Sequence, residues 1–195
     1  MHIRTRMMFA IGAGLAVAAL GCRAKDRVEN HLDPPSAMRL AAVADGGRVV
    51  TACRVNPLPE RLSLKNVTEL GRAGSSVLLE LPKTEIETIS GIQGLERTSV
   101  WGDAQVMAKL DNRLKQDLLA AWDKGQMTPM PLLARFADGT PDLEQALTRE
   151  GAAPRTVAGS VVTLDADPET ILRLSTMPGL LTLRRPTTLQ PLGGG

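Results

Sequence analysis

Two histidines, two cysteines and a scatter of serines and carboxylates are the chemical equipment of this chain. A serine nucleophile needs an imidazole held beside it, and a zinc site needs several His, Cys or carboxylate ligands converging on one point. His2 precedes an apolar run and His31 lies in a charged stretch, so neither is placed to activate a serine or a cysteine. The Asp and Glu residues fall on segments of helical pattern and read as solvated faces. The clustered glycines of "AIGAGLA" (Ala10–Ala16) lie inside the apolar run, which rules out a loop that cradles phosphate. Cys53, in "RVVTACRV" (Arg48–Val55), reads as a small buried strand residue, with a reactive thiol as the alternative. No catalytic residue, metal or cofactor is expected. Cys22 is different, because its position implies a chemistry of its own.

Arg4 and Arg6 precede an uncharged, mostly apolar run from Met7 to Gly21. That run is short for a membrane-spanning helix and suits the core of a secretory signal. It ends in Ala19-Leu20-Gly21-Cys22. This ending resembles the lipobox of bacterial lipoproteins, although Ala19 stands where that family commonly has leucine. The resemblance implies cleavage before Cys22 and a lipid on its thiol; an ordinary secretory signal is the other reading. Arg23 follows, not the aspartate associated with inner-membrane retention, which implies the periplasmic face of an outer membrane where the cell has one. Removing Arg4 and Arg6 takes Lys+Arg from 23 to 21, against 21 Asp+Glu. A balanced charge with one Phe, two Trp and no Tyr after the signal argues against a nucleic-acid partner. With Cys22 lipidated, Cys53 has no disulfide partner.

The elements that must position any site are written twice. Displaced by 85 residues, positions 73–95 align with 158–180 without a gap. Ala73, Gly74, Ser75, Val77, Leu79, Ile86, Gly94 and Leu95 each meet an identical residue. Val77, Leu79 and Leu81 alternate, as do Val162, Leu164 and Ala166, which predicts strands with one buried face. Ile86, Ile89 and Ile92, matched by Ile171, Leu174 and Met177, recur in steps of three and predict one helical face. The second helix has Asp167 to cap it, Pro168 in its first turn and Glu169 at the positive end of its dipole. Upstream, "MPLLARFADG" (Met130–Gly139) predicts a strand, "TPDLEQALTREGA" a helix capped by Thr140 and stopped by Gly151, and "PRTVAG" a second strand.

The second copy therefore reads strand–helix–strand–strand–helix–strand, the order of a ferredoxin-like sandwich. In the first copy "GRVVTACRV" and "VTELGRAG" supply strands, with at most a short helix after Pro59. The expected fold class is α+β: two tandem ferredoxin-like modules, the first less complete, joined by an amphipathic helix. The expected divisions are a signal (1–21), a tether (22–45) with a short helix near Met38–Val43, module one (46–102), a connecting helix (103–125), module two (126–186) and a tail (187–195). Met107, Leu110, Leu114, Leu118 and Trp122 stripe the connecting helix. They read as packing on the modules or, alternatively, as an exposed face for a groove or a second copy.

The second module resembles the propeptide and inhibitor family of subtilisin-like proteases. The likeness rests on "LLARFADG" (Leu132–Gly139), "DLEQALTREGA" (Asp142–Ala152), "SVVTLDAD" and "PETILRLSTMPGLLTLRRP" (Pro168–Pro186). It implies a sheet that packs on a serine protease and a segment after the last strand that enters the protease cleft. That segment is Thr187, Thr188, Leu189, Gln190, Pro191 and Leu192; a flexible tail is the alternative. The family commonly ends its last strand with acidic residues, whereas Arg184-Arg185 stand here.

Two functions follow as expectations. One is a non-catalytic envelope lipoprotein that binds a protein, with a subtilisin-like protease as the partner the resemblance implies. The other is a structural subunit whose modules pack with copies of themselves or with an envelope complex. Lipidation is the most direct expectation to test. Cys22→Ser should release the protein from membranes, and mass spectrometry of the parent should show a diacylglyceryl group on Cys22. A mature chain that starts elsewhere would refute this.

Overall fold

A computed structural model describes residues 32–62, 64–140 and 142–186. The alternation of Val77, Leu79 and Leu81 becomes β3 (Ser76–Pro82), which lies between β1 (Arg48–Val55) and β2 (Thr68–Ala73). β4 (Leu95–Asp103) completes an antiparallel sheet of order β2-β3-β1-β4. β5 (Met130–Phe136), β6 (Ala153–Ala158), β7 (Val161–Ala166) and β8 (Leu180–Arg184) form a second antiparallel sheet of order β6-β7-β5-β8. The protein is thus α+β with two four-stranded antiparallel sheets, compatible with two ferredoxin-like modules.

The repeat extends into the irregularities. β2, β3 and β4 each begin 85 residues before β6, β7 and β8. The break in pairing between Glu69 and Gly71 recurs between Pro154 and Thr156, so Leu70 and Arg155 occupy equivalent bulges. Glu96 and Leu181 are likewise skipped at equivalent points of β4 and β8. A bulge bends a strand and re-aims its side chains, so its repetition means that both copies share their curvature. They differ between the first two strands. Twelve residues join β1 to β2 and sixteen join β5 to β6, where α4 (Leu143–Arg149) is housed. No helix forms among the described residues of 56–67.

Several local expectations are refined. Ile86, Ile89 and Ile92 are buried along a 3-10 helix (Lys83–Gly91) and the turn after it; their spacing of three matches the 3-10 period. Their counterparts lie on and just after a true α-helix, α5 (Pro168–Ser175), whose cap Asp167 accepts from the Thr170 N–H at 2.8 Å. Thr140 does not cap α4. Its hydroxyl donates to the Ala137 carbonyl at 2.8 Å, and Asp142, in a left-handed conformation, takes the cap position. Residues 32–45, expected as tether, belong to the folded body: α1 (Pro34–Ala42) starts earlier than Met38 and docks on β4. The connecting helix is broken into α2 (Ala104–Met107) and α3 (Asn112–Asp123). The first piece ends at Ala108, and Asp111 caps the second, accepting from the Leu114 N–H at 2.7 Å.

The stripe on these helices is buried. Met107, Leu110, Leu114 and Leu118 are at most 1% exposed and Trp122 is half-buried, which overturns the exposed-face reading. They share one cluster with Val50, Ala52, Leu78 and Trp101 of the first sheet and with Leu132, Ala134, Phe136, Ile171 and Leu174 of the second half. The other face of the first sheet, with Val49, Cys53, Val77 and Leu79, closes over Ile86, Ile89 and Val43 as a second cluster. Polar contacts reinforce the junction. Arg39 pairs with Glu169, Lys109 Nζ donates to the Ser175 carbonyl at 3.1 Å, and Arg185 meets Asp117 at 3.1 Å.

The end of α3 is pinned to the β2–β3 turn. Ser75 and Ser76 hydroxyls donate to Asp123 Oδ1 at 3.0 and 2.5 Å, and Arg54 Nη1 donates to the Asp123 carbonyl at 3.2 Å. Burial pushes the Asp123 carboxyl up, but the bonds from Ser76 and Ser75 and the Arg54 charge outweigh it and hold the group below the usual carboxylate range.

Two outcomes follow. Leu118→Ala should cost about 2–5 kcal/mol, and because the core is shared, hydrogen exchange should rise in β5 and β7 as well as in β1 and β3. Faster exchange confined to one half would separate the cores. For Asp123 the folded pKa is depressed, so its contribution is present above the unfolded pKa of about 3.9 and is lost as pH falls through the folded value. Asp123→Asn should lower stability at neutral pH by about 1–2 kcal/mol and flatten the acid limb of the stability–pH curve.

Candidate functional site: the open face of the second sheet

Equivalent faces of the two sheets meet different fates. In the first sheet the face carrying Val50, Ala52, Leu78 and Trp101 is covered by α2 and α3. The pairing places Leu133 where Ala52 stands, since Ala52 opposes Leu78 and Leu133 opposes Thr163. Arg135 and Val161 likewise replace Arg54 and Ser76. On the second sheet this face turns outward. Arg135 and Arg184 are exposed, Leu133, Thr163 and Asp165 are half-buried, and Val161 is 37% exposed. The opposite face, with Leu132, Ala134, Phe136, Val162 and Leu164, is at most 1% exposed. Alternation in β5 and β7 therefore separates a core side from an open side, as period two requires.

The charges on this face are of two kinds. Arg155, at its bulge, pairs with Asp165 across β6 and β7, while Arg135 and Arg184 have no ion pair among the described residues. The free guanidiniums flank Leu133, which is paired to Arg184 and lies two residues before Arg135. Of the larger exposed apolar side chains of this sheet, Val161 lies on this face, whereas Val157 is paired to Val162 of the opposite face and Leu181 sits in a bulge. A surface of this type, with moderate apolar content and basic ends, suits protein contact more than small-molecule chemistry.

Three of the four sheet edges, those of β4, β6 and β8, are guarded. Ser36 Oγ accepts from the Val100 N–H at 3.0 Å and Arg39 Nη1 donates to the Val100 carbonyl at 3.2 Å, so α1 satisfies part of the outer edge of β4. Leu110 forms a parallel bridge with Leu183: the Leu183 N–H donates to the Lys109 carbonyl at 2.8 Å and the Asp111 N–H to the Leu183 carbonyl at 3.2 Å. β6 carries Pro154 and a bulge, both of which discourage strand addition.

Elsewhere the chemistry is sparse. Cys53 is fully buried; burial pushes its thiol up to about 12, against hydrogen bonds with Thr98 and Thr51 that lower it. It is a protonated core residue at neutral pH, and the reactive-thiol alternative fails. No group of three or more His, Cys, Asp or Glu able to hold a metal occurs among the described residues. The cleft between α1 and the 3-10 helix, about 630 Å³, is lined by Leu32, Leu40 and Ile86, with Glu87 and the Lys83–Asp45 ion pair as its charged groups. Cys22 and the segment Thr187–Leu192 lie outside the described residues. The open face was missed by sequence reading, although a signal existed: the swap of Leu78 for Thr163 at matched positions marks a buried site against an open one.

No family model matches the chain, and no curated protein or solved structure does either.

Matched substitutions test the asymmetry of the faces. Thr163→Asp should change stability by no more than about 0.5–1 kcal/mol. Leu78→Asp, at the equivalent position under α3, should unfold the protein, because an unpaired buried charge costs several kcal/mol. Equal damage from both in thermal unfolding would mean that the second face is covered.

Proposed function

We propose that this chain is a non-catalytic, lipid-anchored protein of the cell envelope that binds another protein through the second of two ferredoxin-like modules. The observation that carries this reading is the open face around Leu133, Arg135, Val161 and Arg184. Its counterpart in the first sheet is used up inside the molecule by α2 and α3, so only one copy of the module has a sheet face to offer. The strand order β6-β7-β5-β8, with α4 and α5 as crossovers, supports the ferredoxin-like assignment. Strand addition at β4, β6 and β8 is disfavoured by the guarding of those three edges.

The partner class comes from the likeness of 132–186 to subtilisin propeptides. In that arrangement the open face would lie on the protease and Thr187–Leu192 would extend into its cleft, which binds substrates as strands. Pro186 and Pro191 favour extension there. Lipid on Cys22 would hold the complex at the membrane.

The test is titration of the mature Cys22→Ser protein into several subtilisin-type proteases. Tight inhibition that disappears on removing 187–195, and that weakens at least tenfold with Leu133→Asp, is expected. No inhibition of any such enzyme, or rapid digestion of the intact protein, overturns the protease reading.

A further inference from the structure

Three elements bring residues to one spot where the two halves meet, each at its own period. Arg97, Ser99 and Trp101 follow in steps of two on β4, while Leu118 and Trp122 on α3 and Pro168 and Leu172 on α5 are four apart. Together they line a pocket of about 110 Å³, which Met127, 59% exposed, also borders. A cavity of about 150 Å³ holds a benzene ring, so this one has room for a single short aliphatic side chain. Trp101, Leu118 and Leu172 give it apolar walls, and each is at most 7% exposed. Both tryptophans of the chain stand here.

The charges around the pocket are met inside the protein, with one exception. Arg39 pairs with Glu169 and donates from Nη1 to the Val100 carbonyl at 3.2 Å, and Asp33 accepts from the Ser36 N–H at 2.7 Å. Arg97 has no ion pair among the described residues; its guanidinium lies 4.8 Å from the centroid of the Trp122 ring. It also stands directly opposite Arg54 in the pairing of β1 with β4, and like charges so placed cost stability. Arg54 is compensated, with Nε 3.3 Å from Glu96 Oε2 and Nη1 on the Asp123 carbonyl. Arg97 is not. Nor does the sheet design call for this group, since Thr182 and Pro186 stand at the positions of Arg97 and Trp101 in the second copy. Stacking on an indole fixes the plane of a guanidinium and leaves its edge N–H groups free to hold a carboxylate with two parallel bonds. The indole N–H of Trp122 is a second donor without a partner among the described residues.

We propose that this pocket binds the C-terminal residue of a peptide chain, with an aliphatic side chain between Trp101, Leu118 and Leu172 and the terminal carboxylate on Arg97. A chain end is favoured over an internal acidic residue for a geometric reason. Successive side chains of an extended peptide point to opposite sides, so an Asp or Glu next to the apolar residue would point away from Arg97. At a chain end the carboxylate and the side chain belong to one residue. Asp33 and Glu169 also border the pocket and disfavour a second negative charge. Met127, unbranched and exposed, offers an adaptable surface for the preceding residues. None of these side chains belongs to the open face of the second sheet, so this site is separate from that one and does not depend on the protease reading.

Titration of the Cys22→Ser protein with three peptides tests it: Ac-Ala-Ala-Leu with a free carboxylate, its C-terminal amide, and Ac-Ala-Ala-Gly with a free carboxylate. With two tryptophans and no tyrosine, intrinsic fluorescence reports on this pocket, and two indole N–H signals in NMR report on its rings. The free-acid leucine peptide should bind about tenfold tighter than either of the others, because only it offers both the charge and the side chain. It should also shift both indole signals. Arg97→Gln, at an exposed side chain, should abolish the preference for acid over amide, whereas Arg135→Gln on the open face should leave it intact. Equal binding of acid and amide, or no shift of either indole signal, overturns the proposal. N-acetylleucine binding as tightly as the tripeptide would assign the pocket to a free acid and overturn it as well. Because no protease is present, failure here is distinct from failure of the inhibition test.

Discussion

Leu114, Leu118 and Leu119 of α3 are at most 1% exposed, wedged between the first sheet and the second half. Burying each is worth about 1.5–3 kcal/mol. Three together approach the whole net stability of a domain, about 5–15 kcal/mol. Much else depends on that wedge. It gives the first sheet a second buried face, it ties the two halves into one core, and it sets Asp111 against β8 and Asp123 against the β2–β3 turn. A helix of this length would be marginal alone; it is held by what it separates.

Duplication with unequal surroundings follows from this wedge. Once α3 occupies one sheet face, positions beneath it are free to become apolar, and Leu78 and Trp101 are so. At Thr163 of the second sheet and at Pro186 just after it, the equivalent positions, no helix of the described residues lies above, and the side chains are smaller or polar. Charge follows the same rule. Glu80 and Asp165 are equivalent and each meets an arginine, Arg48 and Arg155, but those arginines come from different strands. The fold repeats where backbone pairing dictates and diverges where the neighbours differ.

Much of this was legible in the sequence. Strands β3 and β7 could be read because period-two alternation survives on at least one face of each, and their helices because Ile86 and Ile171 begin runs spaced by three. The break at Asp111 was harder to read. The stripe Met107–Trp122 keeps helical spacing through the break, and only the cap bond to Leu114 reveals that the chain restarts there. The docking of α1 was hidden for a related reason. Its contacts are made by Ser36 and Arg39, polar residues whose partners on β4 lie some sixty positions away. Thr140 misled because its hydroxyl had a competing acceptor three residues back. The open face could not be seen from either copy alone, since a half-buried leucine such as Leu133 looks the same in a covered or an uncovered strand.

The constraint that remains is geometric. A sheet with one face on the core and one face in water must keep the wet face soluble and its edges unpaired. Here three of the four edges are managed locally, by α1 on β4, by Leu110 on β8, and by Pro154 with the bulge on β6. The face is managed less completely: Arg135 and Arg184 keep it hydrated while Leu133 and Val161 remain accessible between and beside them. Guarded edges with an accessible face favour association by side-chain complementarity over association by backbone pairing. Side-chain association can be made specific and reversible by the charges that frame it. That combination supports the proposed reading in which the open face of the second sheet meets a protein partner.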